Sequence, residues 1–219
     1  ISLILQGCGA DDKEDAVETQ PQSFSIEVTN LTNKQAFSPM AVILHGDGYH
    51  AYMLGERASL ALETLAEGGD NSALLEEADS NSNVMHSVSG VGSIAPGMSE
   101  VITIENMEPG FKLSLVSMLV NTNDGFTGRD AMSINGLELN ESQAFMTRVY
   151  DSGTELNDEV AASLPGQGGE GFNALRDDRD FVAVHAGIVS SEDGLATSAV
   201  DSSYRFDNPA ARVVVTRIE

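Results

Sequence analysis

Basic residues and cysteine are scarce in this chain. Lysine and arginine number 11 against 34 aspartates and glutamates, a formal net charge of −23, and the acidic excess is spread along the whole sequence. A polyanion is repelled by a phosphate backbone, so nucleic acid is excluded as a partner. A diffuse negative surface serves solubility in a salty or extracellular setting, whereas holding a cation also needs placed ligands. Cys8 is the single cysteine, which rules out an intrachain disulfide and leaves the fold to its core and to any metal it binds. Catalytic signatures are missing as well. There is no Gly-x-Ser-x-Gly elbow, no phosphate loop and no dinucleotide fingerprint; Ser89-Gly90-Val91-Gly92-Ser93 is Gly/Ser-rich but sits in a strand or hairpin context. No pair among His45, His50, His86 and His185 has zinc-finger spacing, and His45 and His185, each closing an apolar run, read as core or rim histidines. An enzyme is therefore not expected. No repeat recurs at a fixed period.

Residues 1–8, Ile1 to Cys8, read as the tail of an apolar signal segment that closes on a small residue before cysteine. Leu5-Gln6-Gly7-Cys8 resembles a bacterial lipobox, with Gln6 an unusual occupant of its position. The expectation is that Cys8 is lipidated and anchors the protein to a membrane; a buried first strand with an inert thiol is the alternative. The apolar run is too short to span a bilayer. Residues 9–22, with Asp11, Asp12, Glu14, Asp15 and Glu18 and almost nothing to bury, read as a flexible acidic tether. The folded domain is expected over residues 23–219.

At 219 residues and 41% hydrophobic content the chain can build one sizeable core. Phe24–Asn30 alternates apolar and polar residues, the pattern of a half-buried strand, while Met40–Leu44 is a continuous apolar run, the pattern of a strand buried on both faces. Leu54, Ala58, Leu62 and Leu65 recur at helical spacing, predicting a helix over Glu56–Ala66 that Gly68-Gly69 ends. A shorter helix follows over Ser72–Ala78, where Asp70 or Asn71 could cap it. Period two then returns over Val84–Val91, Glu100–Glu105, Lys112–Val120, Met132–Leu139 and Ala144–Tyr150, with Pro96-Gly97 and Pro109-Gly110 as turn dipeptides. Glu155–Ala162 reads as a helical turn, Leu164–Asp180 as a Gly-rich mobile loop, and Phe181–Ile188 and Ala211–Ile218 as the last strands. The fold class is all-β, an antiparallel sandwich or barrel with one or two short helices inserted between early strands.

Two acidic turns bracket the middle of the chain: Asn121-Thr122-Asn123-Asp124-Gly125-Phe126-Thr127-Gly128 and Val149-Tyr150-Asp151-Ser152-Gly153-Thr154-Glu155. Each couples carboxylates with glycine, so that backbone and side-chain oxygens can converge on one point, as a hard cation requires. Aspartate and glycine are also common in turns for conformational reasons alone.

These two turns, the Leu115–Val120 strand before the first, Phe24–Leu31 and the closing Ala211–Ile218 strand, in that order along the chain, resemble the spondin domain in its bacterial, stand-alone branch. The resemblance implies an antiparallel β-sandwich similar to C2 domains with Ca²⁺ bound near one end. Carried over residue by residue, it implies Glu105, Asp124, Asp151 and Glu155 as the calcium ligands. Two departures stand out: Gly125 occupies a position that is tryptophan in animal members, and Glu155 replaces an aspartate, adding one methylene to that ligand. Four carboxylates with backbone carbonyls and water would supply the 6–8 oxygens that Ca²⁺ takes.

The function expected from these features is that of a lipid-anchored, extracytoplasmic calcium-binding module, on the outer membrane, cell surface or in the periplasm. Its role would be adhesion to, or interaction with, an unknown protein or surface ligand. The alternative is a hydrolase or small-ligand-binding periplasmic protein that uses Leu164–Asp180 as a lid over the acidic end.

Overall fold

The computed structural model describes residues 20–219, so the expected signal remnant, the expected lipidation of Cys8 and most of the expected acidic tether lie outside the described residues. Ten strands form two antiparallel sheets. They are β1 (Gln22–Asn30), β2 (Ala41–His45), β3 (Val84–Ser89), β4 (Ser99–Met107), β5 (Lys112–Met118), β6 (Gly125–Ser133), β7 (Ser142–Met146), β8 (Arg148–Asp151), β9 (Ala183–Val184) and β10 (Ala211–Arg217). One sheet has the order β4-β1-β10-β7 and the other β3-β2-β5-β6-β8-β9. The fold is an all-β sandwich, as the alternation of the sequence predicts. The strand β1 begins at Gln22, two residues before the expected Phe24, and Ser23 is already buried beneath it.

The six-stranded sheet is covered on both faces, and β2 shows why its sequence does not alternate. Val42 and Leu44 point into the core between the sheets with Ile26, Val28, Leu113, Leu115 and Val213, while Ala41 and Ile43 face a second apolar layer under two helices. Those helices are α1 (Leu60–Gly68) and α2 (Ser72–Asp79). The first starts four residues later than its periodicity predicts. Ser59 holds an extended backbone and its hydroxyl accepts the Leu62 amide at 3.1 Å, so the cap sets the boundary. Its end falls at Gly69, whose φ of +73° and amide bond to Leu65 make a left-handed cap. At α2 the side chain of Asn71 makes no cap bond; the Ser72 amide is met by Asp70 instead, at 2.9 Å.

Five expected elements are placed differently. The first acidic turn ends at Asp124 and β6 starts at Gly125, so Phe126–Gly128 are strand and not turn. A Cβ at Gly128 would sit 2.5 Å from the Leu115 carbonyl, a close approach of β5 and β6 that mimics a turn signal in the sequence. The Met132–Leu139 pattern is not a strand of its own: β6 ends at Ser133, and Ile134 and Leu137 reach the core from irregular backbone. Ala144–Tyr150 is not one strand but two. The chain leaves β7 in the smaller sheet and enters β8 in the larger one at Thr147. Only Ala183–Val184 of Phe181–Ile188 pairs as a strand, and Glu155–Ala162 yields no more than a short 3-10 turn at Ala161–Ser163.

Thr147 is buried at the crossover. Its hydroxyl lies 2.7 Å from that of Thr127 and accepts the Ala211 amide at 3.0 Å, so one side chain ties β6, β10 and the strand switch together. Thr147→Val keeps the shape and leaves the Ala211 amide without its acceptor. Urea unfolding should show a loss of about 1–3 kcal/mol; an unchanged midpoint would mean that the hydroxyl does not hold the crossover.

Candidate functional site

The turn from Leu119 to Gly125 is closed locally. Leu119 donates its amide to the Gly125 carbonyl at 2.8 Å, and the Thr122 hydroxyl donates to the Leu119 carbonyl at 2.7 Å and accepts the Gly125 amide at 3.0 Å. A Cβ at Gly125 would lie 2.5 Å from the Thr122 hydroxyl and 3.0 Å from the His185 ring, so the space of the animal tryptophan is already filled. The turn buries Asp124 fully. Gly125 pairs with Asp151 across β6 and β8, which brings the second acidic turn alongside the first.

Asp124 holds that second turn with one oxygen. Its Oδ2 accepts from the Ser152 hydroxyl at 2.9 Å, the Thr154 amide at 2.8 Å and the Glu155 amide at 3.2 Å. Its Oδ1 is buried and has no hydrogen-bond partner among the described residues. Asp151, also fully buried, accepts the Gly153 amide on Oδ1 at 2.8 Å and, on Oδ2, the Asn157 side chain at 2.7 Å and Arg179 at 2.9 Å. Gly153 has φ +73°, and a Cβ there would lie 2.4 Å from the Phe181 carbonyl, so this position admits only glycine. Burial pushes the Asp124 carboxyl well above the ordinary range, Asp151 adds to the rise, and the Thr154 and Glu155 amides act against it.

Glu155 sits at the edge of the same site. Burial, then the charges of Glu67, Asp124, Asp158 and Asp177, push its carboxyl up to about 8. Glu105 does not join this group. Ile104 pairs with Phe24 on β4 and β1, so Glu105 lies exposed near the start of β1. The acidic turns lie at the other end: Asn30, the last residue of β1, bonds the Gln35 carbonyl at 2.7 Å, and Gln35 brackets Asn121. Six residues of strand separate the two ends, about 20 Å at 3.3 Å per residue.

The structure adds residues that the sequence does not assign to this site. Arg179 brings a positive charge to Asp151 from the loop over residues 164–180. That loop is pinned, not loose: Arg176 bonds Glu63, the Ala58 carbonyl and Asp180, and the Asn173 amide bonds Glu67 at 2.8 Å. Glu159 is buried at a φ of +56°, with Oε1 on the Val189 amide at 3.1 Å, and burial pushes it up to about 7. His185 is buried, its Nδ1 accepting the Gly187 amide at 3.0 Å and its Nε2 unpartnered among the described residues; burial holds its pKa below the ordinary value. No spacing signal could have found these, since they come from three separate segments. The other expected core histidine, His45, is fully buried with both ring nitrogens engaged, by the Gly46 carbonyl at 2.8 Å and the Ser114 hydroxyl at 2.7 Å.

The chemistry of this end is that of hard oxygen. Asp124 Oδ1, Asn123 Oδ1 and Asn157 Oδ1 are all buried acceptors with no donor among the described residues, beside two buried carboxylates. Among the described residues no three His, Cys, Asp or Glu side chains are grouped as metal ligands. Glu105, near the start of β1, stands apart from Asp124, Asp151 and Glu155, so the four carboxylates do not form one group.

An antiparallel two-sheet sandwich with a buried acidic pair joining two loops at one end is the class this chain falls in. The family model Spondin_N matches residues 18–162, well over half of the chain, and the chain belongs to the spondin N-terminal domain family. This is not a known enzyme family, and its domains are extracellular or secreted, which agrees with an extracytoplasmic chain. Comparison with curated proteins finds no match. No helix among the described residues is long and apolar enough to cross a membrane.

The raised carboxyls set a pH dependence. In EDTA, the folded chain between pH about 6.5 and 8 retains protons that the unfolded chain has released, on Asp124, Glu155 and Glu159. Stability therefore falls as pH rises through this window. His185, held neutral by burial, acts in the opposite sense only below its ordinary 6.5. Chemical denaturation in EDTA from pH 6.5 to 8 should show this decline, and Glu155→Gln should flatten it; a rising or flat wild-type profile would contradict the assignment.

Proposed function

We propose that the chain is an extracytoplasmic calcium-binding module that serves adhesion or protein interaction at a cell surface, tethered by a lipid on Cys8. One observation carries the calcium reading: Asp124 keeps an unpartnered, fully buried carboxylate oxygen beside the equally buried Asp151. A divalent ion would neutralise the pair and supply the missing partner, fixing the two acidic turns together. Asp124 and Asp151 would hold it, with Asn123, Asn157 and Glu155 at the margin. The adhesive role rests on the family alone. The lid reading has less support, because Arg176 and Arg179 strap the 164–180 loop to buried carboxylates and the cavity beside it is open.

A thermal melt with EDTA and with added calcium tests the ion. Binding to the native state alone, at a hundredfold excess over Kd, should raise Tm by about 5–10 °C. The double variant Asp124→Asn with Asp151→Asn should lose that rise. No shift at millimolar calcium would sink the assignment, and an undiminished shift in the variant would move it elsewhere.

The anchor is tested separately, in cells expressing the chain with its natural leader and fed a labelled fatty acid. Label should enter the wild type and not Cys8→Ser; label in both, or in neither, would refute lipidation at Cys8.

A further inference from the structure

Acidic residues outnumber basic ones 34 to 11 in this chain, so carboxylate partners are plentiful for its few cations. Lys34, Arg57, Lys112, Arg176, Arg179 and Arg205 each meet an aspartate or glutamate. Arg212 and Arg217 on β10 meet no such side chain among the described residues, nor do Arg129 and Arg148, which are both exposed. The latter two also stand together. Gly128 on β6 is the register partner of Arg148 on β8, so Arg129 is one residue along from that pair. The one bond of the Arg129 guanidinium among the described residues is a long one, 3.4 Å to the Met146 carbonyl.

Both guanidinium-bearing residues line a cavity of about 570 Å³ on the helix-bearing face of the six-stranded sheet. Its floor is aromatic: the Tyr52 and Tyr150 rings lie 5.1 Å apart and tilted by 47°. Met53 and Leu54 form an apolar rim, 51% and 55% exposed. The one carboxylate in the wall, Asp130, is already committed, with Oδ2 on His50 at 2.5 Å and Oδ1 on the Ala51 amide and the Ser114 hydroxyl at 2.8 and 2.9 Å. Side chains alternate along β8, so Tyr150 faces this cavity while its neighbour Asp151 points into the acidic end.

We propose that this cavity binds a small organic anion, a carboxylate or sulfate group held between Arg129 and Arg148 with a flat ring against Tyr52 and the Met53–Leu54 rim. Guanidinium matches the planar, two-oxygen geometry of such groups. The volume falls in the range of small-molecule sites, roughly 300–1,000 Å³, and aromatic and thioether walls accept a ring face. The bulk negative charge of the chain does not forbid it. At physiological salt, carboxylates further away than about 8 Å are largely screened, and the one in the wall, Asp130, is engaged by His50, the Ala51 amide and the Ser114 hydroxyl.

Calorimetric titration in EDTA keeps the test independent of the calcium reading. The probes are benzoate and D-glucuronate, their neutral counterparts benzyl alcohol and D-glucose, and inorganic sulfate. At least one ring anion should bind tenfold more tightly than its neutral counterpart and than sulfate. Arg129→Ala and Arg148→Ala, both exposed changes checked by an unaltered Tm, should each weaken it at least tenfold. Arg148→Lys, which keeps the charge and loses the fork, should weaken it by less than Arg148→Ala. No binding of either ring anion at millimolar concentration, equal binding of the neutral compounds, or affinity unchanged in Arg148→Ala would each overturn the proposal. Sulfate binding as tightly as the ring anions would do so too, by showing that the aromatic floor plays no part.

Discussion

Asp124 and Asp151 lie side by side out of water, and two buried like charges persist only where donors and counter-charges are arranged around them. Much of the acidic end follows from that requirement. One oxygen of Asp124 collects the amides of the second turn, so the backbone from Ser152 to Glu155 is wrapped around a carboxylate. Asp151 draws Asn157 and Arg179 inward, and Arg179 arrives on a loop that Arg176 and Glu67 fasten to α1. The family match stops at residue 162, whereas Arg176, Arg179 and His185 come after it. The chain beyond the matched segment thus supplies the positive charge and half the enclosure of a site whose carboxylates lie within it.

The sequence discloses the sandwich well because its strands are simple in kind. β1 alternates since one of its faces meets the core, and β2 does not since helices cover its second face. What the sequence conceals are places where a local signal has two causes. Gly128 reads as a turn residue and is in fact a strand position where β5 comes too near for a side chain. Thr147 lies in an unbroken run of strand-forming residues, yet its hydroxyl meets backbone and side chain from two directions and marks a change of sheet. The candidate site is half legible for the same reason. Asp124, Asp151 and Glu155 sit in turns recognisable from residue type, while Glu105 shares the family spacing but stands at the far end of β4, which only strand register reveals.

Charge is used sparingly where it is scarce. Arg176 joins Glu63 of α1 to Asp180, and Arg205 clasps Asp193, so several of the few cations serve as staples for segments without regular structure. Against that background, two adjacent arginines over an aromatic floor stand out, because neither is used to staple a carboxylate among the described residues.

The pairing of β1 with β10 has a mechanical side. Phe24 lies opposite Arg217, and β10 is also bonded to β7, so the first strand of the sandwich is clamped between β4 and β10 along its whole length. Tension applied between Gln22 and the Asp124 turn, at opposite ends of the sandwich, runs parallel to these strands. Their hydrogen bonds are then loaded in shear, all at once, and resist together. Tension between Gln22 and residue 219, which lie at the same end, would instead open β1 from β10 one bond at a time. A domain held at its first strand and engaged through its acidic end would carry load in its stronger direction.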